Sequence, residues 1–369
     1  MTIVIFIAVI VALIVVHEFG HFVVAKLSGM RVDEFGIGYP PRAAVIGKIS
    51  GTILTLNWLP FGGFVKIYGE DGLPGQGGEK GSQSFSSRPR ILQALVLIAG
   101  IAMNLLFAYV LITGALIAGT PRALEENEIA TAQNVELAIA AVLPGSPAAD
   151  AGLLAGDSIL SAEDGHFVFS GVSPVAFTKF VSDGGGNTTI ALTVRHADGE
   201  EALLFARPIA GIVASDPSRA ALGIEVATIG VVPLSFISSI TEGARLTWGS
   251  IGITAVGLYH FFSSIFTFSA DLSQVAGPVG IAGAVGSASA QGLGYLFSIM
   301  AVISINLALI NLIPIPALDG GRLLFVGIES IIRRPIKPIV AQSINAVGFI
   351  FLVLLMVVVT VHDIFRIVG

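Results

Sequence analysis

The chain has 369 residues, 54% of them hydrophobic, only 12% charged, and a formal net charge of -6. A water-soluble globular domain carries about twice that charged fraction, and no basic tract marks a nucleic-acid surface. Cysteine is absent, which excludes a disulfide framework and thiolate metal sites and leaves the redox compartment open.

The first apolar run is unbroken from Ile3 to Val16 and continues to Ala25. It has neither the basic start nor the small-residue cleavage site of a secretory signal, so a retained helix is expected, giving a first span over 1–28. Within it lies "VVHEFGHFVV", residues 15–24, which places His17, Glu18 and His21 where lipid is the solvent. Ionisable groups near the centre of a membrane helix each cost about 2.5–3.5 kcal/mol on insertion scales, so they are retained for a purpose. Residues four apart share a helix face, so both imidazoles can address one metal ion with Glu18 beside them. H-E-x-x-H is the zinc metalloprotease spacing, with two histidine ligands and a carboxylate that takes a proton from the attacking water.

Residues 29–90 form a connection rich in Lys and Arg, followed by a second apolar span over 91–118 that Gln93 and Asn104 interrupt only mildly. Third and fourth spans are expected over 293–321 and 339–365, with Arg322, Arg333, Arg334 and Lys337 crowding the short link between them. Four spans put both termini on one side, and the positive-inside rule turns the two basic links toward the cytoplasm and the long 120–292 stretch outward. Within that stretch "VLPGSPAADAGLLAGDSILSAEDG" (142–165) closely resembles the carboxylate-loop region of a PDZ domain, and the alternation in "TTIALTVRH" (188–196) fits a later strand. A β-rich PDZ domain is expected over 130–210. Residues 211–292 read as a linker with a membrane-associated helical region, in which 245–270 is expected to be an amphipathic helix lying on the outer face rather than a fifth span.

A catalytic zinc site takes three protein ligands and keeps one position open. "NLIPIPALDGGR" (311–322) supplies the third: Asp319 is the only carboxylate between Asp271 and Glu329, at the close of the third run. Pro314 and Pro316 break a helix there, and irregular backbone at membrane depth is tolerated only where it lines a cavity. His166, His196, His260 and His362 have no second ligand at metal spacing and read as structural or surface residues.

Taken together, "HEFGHF", "FGIGYPPR" (35–42), "PFGGFVKIYGE" (60–70), the PDZ-like stretch, "GPVGIA" (277–282) and "NLIPIPALDGG" resemble the bacterial site-2 proteases of the RseP type. The likeness covers most of the length. It departs at Ile101, where members often carry proline, and in having one recognisable PDZ module where some have two.

The resemblance implies an α-helical membrane protein with about four transmembrane helices, a membrane-reentrant β-hairpin (about 50–68) and an inserted PDZ domain. It implies zinc held by His17, His21 and Asp319, Glu18 as general base and acid, and Asn311 as a substrate-holding residue. Gly62, Gly63 and Phe64 would belong to the hairpin that accepts substrate as an added strand. Substrates would be single-pass membrane proteins of the anti-sigma-factor kind, cut in regulated intramembrane proteolysis at the inner (cytoplasmic) membrane. The PDZ domain would face the periplasmic side, with a peptide or protein ligand or a screening role, and no nucleic acid is involved. The rival reading is a membrane metal-ion transporter, disfavoured because ligands come from two spans only and no internal repeat is visible.

Overall fold

A computed structural model describes residues 2–70, 83–184, 188–196, 199–212, 216, 218–232, 234–267, 276–334 and 336–368. The chain divides into two compact units, Met1–Leu116 with Phe236–Gly369, and Ile117–Ser235. In chain order the first unit opens with α1 (Thr2–Leu27), β1 (Val32–Ile49), β2 (Thr52–Ile67) and α2 (Arg90–Ile117). The second contains β3 (Arg122–Ala123), β4 (Gln133–Val142), α3 (Pro147–Asp150), β5 (Ser158–Glu163) and β6 (Val168–Phe169), then α4 (Pro174–Asp183), β7 (Ile190–Arg195), β8 (Glu201–Ala206) and β9 (Ile224–Val231). The chain returns to the first unit with α5 (Phe236–Phe266), α6 (Pro278–Gln291), α7 (Leu293–Leu312), α8 (Asp319–Ile332) and α9 (Pro338–Val368).

Among the described residues four helices are long and apolar enough to cross a membrane: Thr2–Leu27, Arg90–Ile117, Leu293–Leu312 and Ile339–Phe365. In hydrocarbon every backbone N–H and C=O must be satisfied within the segment, which selects helix despite the many β-branched residues of α1. The 26 residues of α1 rise about 39 Å. α2 runs unbroken through Ile101, which is buried in its interior. α5 forms one helix of 31 residues that begins before the expected 245–270 and ends at Phe266, with 268–270 outside the described residues, and it is not among the four.

The helices meet through small residues. A Cβ on Gly20 of α1 would collide with the Ala99 carbonyl of α2, so the two backbones touch there. Val9 and Leu13 of α1 are buried with Val285 of α6, and Ala108 and Leu111 of α2 with Ala301 and Ile305 of α7. A further cluster joins Ala25, Val32, Ile67, Val96 and Val326, tying α1, the two strands, α2 and α8 together.

The hairpin is larger than the expected 50–68, because β1 supplies a whole second strand. Gly36, Gly38 and the Pro40-Pro41 pair punctuate β1 and hide it in a sequence reading. Its pairing is folded over: Phe35 pairs with both Val65 and Leu54, Ile37 with both Gly63 and Leu56, while Val45 pairs with Thr55. Residues 34–37 therefore lie between two stretches of β2, and residues 63–67 form an outer edge.

The second unit is a seven-stranded sheet in the order β3-β9-β4-β5-β7-β8, with β6 attached to β5. Phe177 and Val181 of α4 pack on Leu137, Ile139, Ile190, Leu192 and Val194, each such side chain contributing roughly 1.5–3 kcal/mol relative to exposure in water. The "PGSPAAD" stretch begins α3, where Ser146 Oγ accepts the Ala149 N–H at 3.3 Å and Pro147 takes the first helical turn. Asp157 Oδ2 then accepts the Leu154 N–H at 2.9 Å. The unit extends beyond 130–210, since β3 and β9 lie outside those bounds and β9 sits beside β4.

Candidate metal centre

α1 presents His17 and His21 one turn apart, and both are buried at 6% and 7% exposure. The third group arrives from the break after α7. That helix ends at Leu312, Ile313 turns extended, and Ala317 adopts a positive φ of 77°. The Asn345 side-chain oxygen of α9 accepts the Ala317 N–H at 3.2 Å, and Gly348 of α9 lets Pro316 approach its backbone. Asp319 then starts α8 as its first helical residue, with Leu318 rather than Asp319 in the capping position.

The result is a tight triad. His17 Nε2 lies 2.9 Å from Asp319 Oδ2, His21 Nε2 lies 3.2 Å from the same oxygen, and the two Nε2 atoms are 3.1 Å apart. Donors about 2.0–2.2 Å from one tetrahedral zinc ion sit roughly 3.3 Å from each other. The triad needs to open by only a few tenths of an ångström to hold such an ion, and two imidazoles with one carboxylate are a donor set zinc accepts. The residues fit the metal.

Beside the triad lies a cavity of about 740 Å³, lined by Glu18, His21, Asp319, Arg322, Asn345 and Phe349 together with residues 63–67 of β2. Glu18 is half-buried and lines the cavity beside Val65 of β2. Gly63 and Phe64 line the cavity, and the Phe64 ring lies nearly parallel to that of Tyr39 with centroids 6.5 Å apart. Gly62 adopts a φ of 102°, which glycine alone takes without strain, and does not line the cavity. Asn311 stands half-buried in the last turn of α7, away from the cavity lining. Arg322 forms an ion pair with Glu70, and Arg90 of α2 pairs with Glu329 of α8 at 2.8 Å, so charges from the region after β2 and from α2 both engage α8.

Three contributors escaped the sequence reading. The Val96 carbonyl accepts from His21 Nδ1 at 2.7 Å, Gly100 makes room for both rings, and the Asn104 amide lies 3.2 Å from His17 Nδ1. The available signal was an amide four residues after a glycine inside an apolar span. His196 is engaged in structure, with Nδ1 2.8 Å from Asp157 Oδ1.

Comparison with known proteins agrees with this chemistry. The profile described as peptidase family M50 matches residues 5–355. A provisionally named zinc metalloprotease of Clostridium perfringens is 33% identical over 354 residues, covering 96% of this chain and 95% of that protein. Another such protein, from Nostoc sp., is 33% identical over 94% of this chain and 91% of its own length. A third, from Brucella suis, is 28% identical over 99% of this chain and 95% of its own.

Proposed function

This chain belongs to peptidase family M50 and is a membrane zinc metalloprotease of the site-2 type; from that premise we propose that it hydrolyses peptide bonds inside the transmembrane helices of single-pass proteins of the anti-sigma-factor kind. His17 Nε2, His21 Nε2 and Asp319 Oδ2 would hold the ion, and zinc bound there supplies a Lewis acid that polarises the scissile carbonyl and acidifies the attacking water. Glu18 takes the proton from that water as the carbonyl is attacked and delivers it to the departing nitrogen. Glu18 lines the same cavity as Asp319 and His21, which suits both transfers.

A helical substrate shields its peptide bonds within its own hydrogen bonds, so cleavage demands local unwinding. Residues 63–67 pair with 32–37 on one side and line the cavity on the other. An unwound substrate segment can add there as a further strand, and the new pairings replace those it lost. Gly62, Gly63 and Phe64 belong to this acceptor strand, which in our reading is membrane-reentrant, and Asn311 would hold substrate from the α7 side. The Ile117–Ser235 unit is read as a PDZ domain on the periplasmic face of the inner membrane that screens substrates before cleavage, as regulated intramembrane proteolysis requires.

The observation that carries this reading is the convergence of His17, His21 and Asp319 beside Glu18 at one cavity. A transporter would need successive sites along a path, and one cluster of this kind occurs among the described residues. The test is incubation of detergent-purified protein with single-pass substrates, with and without a zinc chelator. Cleavage within the membrane segment, abolished by chelation and restored by zinc, is expected. Cleavage that persists in chelator, or zinc uptake by sealed vesicles without cleavage, overturns the reading.

A further inference from the structure

One stripe of α2 runs along both imidazoles. Val96, Gly100 and Asn104 are spaced four apart and so share a helix face. The Val96 carbonyl can only accept, so the 2.7 Å contact fixes the proton of His21 on Nδ1 and leaves its Nε2 lone pair free. A Cβ on Gly100 would collide with His21 Nε2 and stand 2.8 Å from His17 Cε1, so glycine is required where the rings lie against the helix. One turn further, the Asn104 side-chain amide meets His17 Nδ1 at 3.2 Å, with Nδ2 as the placed contact atom. Asn104 is completely buried, and Ser304 of α7 donates its hydroxyl to the Asn104 backbone carbonyl at 2.8 Å. A buried amide costs free energy unless it is bonded, which makes an idle asparagine at this depth an expensive choice.

We infer that Asn104 is a positioning residue whose amide oxygen accepts the His17 Nδ1–H, fixing the tautomer that points Nε2 at the metal, as Val96 does for His21. This rests on the reading that the two histidines hold zinc. An amide can direct either its oxygen or its nitrogen at one point. With nitrogen there, Nδ1 of His17 would be the acceptor and Nε2 would carry the proton, which bars Nε2 from ligation. As placed, Oδ1 is the Asn104 amide atom without a hydrogen-bond partner among the described residues; exchanging the two amide atoms brings the oxygen to His17 Nδ1, and the requirement at His17 selects that orientation. The Ser304 bond holds this turn of α2 at the height of His17.

The test measures zinc affinity of the purified full chain by competition with a chelator, together with the visible absorption of the cobalt(II)-loaded protein. Asn104→Asp keeps an acceptor oxygen and should retain the wild-type affinity and spectrum. Asn104→Leu keeps the volume without an acceptor and should weaken zinc binding by about 10–100-fold, the usual cost of losing such a partner, with an altered cobalt spectrum. If the leucine variant does not fold, Asn104→Ala replaces it. Unchanged affinity without an acceptor, or equal losses in Asn104→Asp and the acceptor-less variant when both melt like the wild type, overturns the assignment. Failure of the wild-type protein itself to bind zinc would instead remove the metal reading on which it rests.

Discussion

His17 Nε2 and Asp319 Oδ2 lie 2.9 Å apart although 302 residues of chain separate them. The contact joins the first membrane helix to the start of α8, so a shared ion would bind elements that the chain itself leaves distant. We expect His17→Ala and Asp319→Ala to reduce bound zinc to a small fraction of the wild-type stoichiometry, measured by elemental analysis. Chelation of the wild-type protein should lower its melting temperature, since an ion present at 100 times its dissociation constant stabilises by about 2.7 kcal/mol. Full zinc content in both variants would remove the ligand assignment.

Glu18 occupies a different position in the chemistry. It lines the cavity but is not part of the donor triad. Glu18→Gln should therefore retain zinc while cleavage of a model membrane helix falls by roughly 10²–10⁴-fold, the range for loss of a general acid–base group. A variant that cuts at the wild-type rate contradicts the proton-transfer role.

The absence of cysteine from the chain makes strand addition directly testable. A single Lys66→Cys, on the cavity side of the sheet, should form a disulfide with a cysteine placed in the substrate's membrane segment when both are combined with Glu18→Gln. Val45→Cys lies on the opposite stretch, paired with Thr55, and should not. Equal cross-linking at both sites would argue against an ordered added strand.

The four apolar helices were legible because a bilayer imposes length and hydrophobicity on each segment independently of its neighbours; their ends fall within a few residues of those expected, except that the third, expected to reach 321, ends at Leu312 where Pro314 and Pro316 break it. His17, Glu18 and His21 were legible through helical spacing, and Asp319 through its isolation among apolar residues. What could not be read depends on contacts between segments. Asn104 is an unremarkable amide until α2 is set against α1. β1 is concealed because its glycines and prolines mimic a loop, and its partners lie in two separate stretches of β2. The separate helix α8 was missed since Gly320 and Gly321 look like a terminating turn, whereas they are its second and third residues.

Those two glycines give the last prediction. The chain from Leu312 to Pro316 folds back over the first turn of α8. A Cβ on Gly320 would collide with the carbonyls of Leu312 and Ile313, and one on Gly321 with that of Ile315. Backbone atoms cannot swing aside as a side chain can, so relief must come from moving the loop that aims Asp319. Gly321→Ala should cost about 1–3 kcal/mol and lower zinc content at the same time. Gly327 lies in the same helix with nothing within 4 Å of an added Cβ. There alanine should be neutral or stabilise by up to about 1 kcal/mol through helix propensity alone, with zinc retained. Melting curves and elemental analysis on the two variants separate a general effect of alanine in α8 from the specific one. If both behave alike, the close approach of the loop is not what sets the position of Asp319.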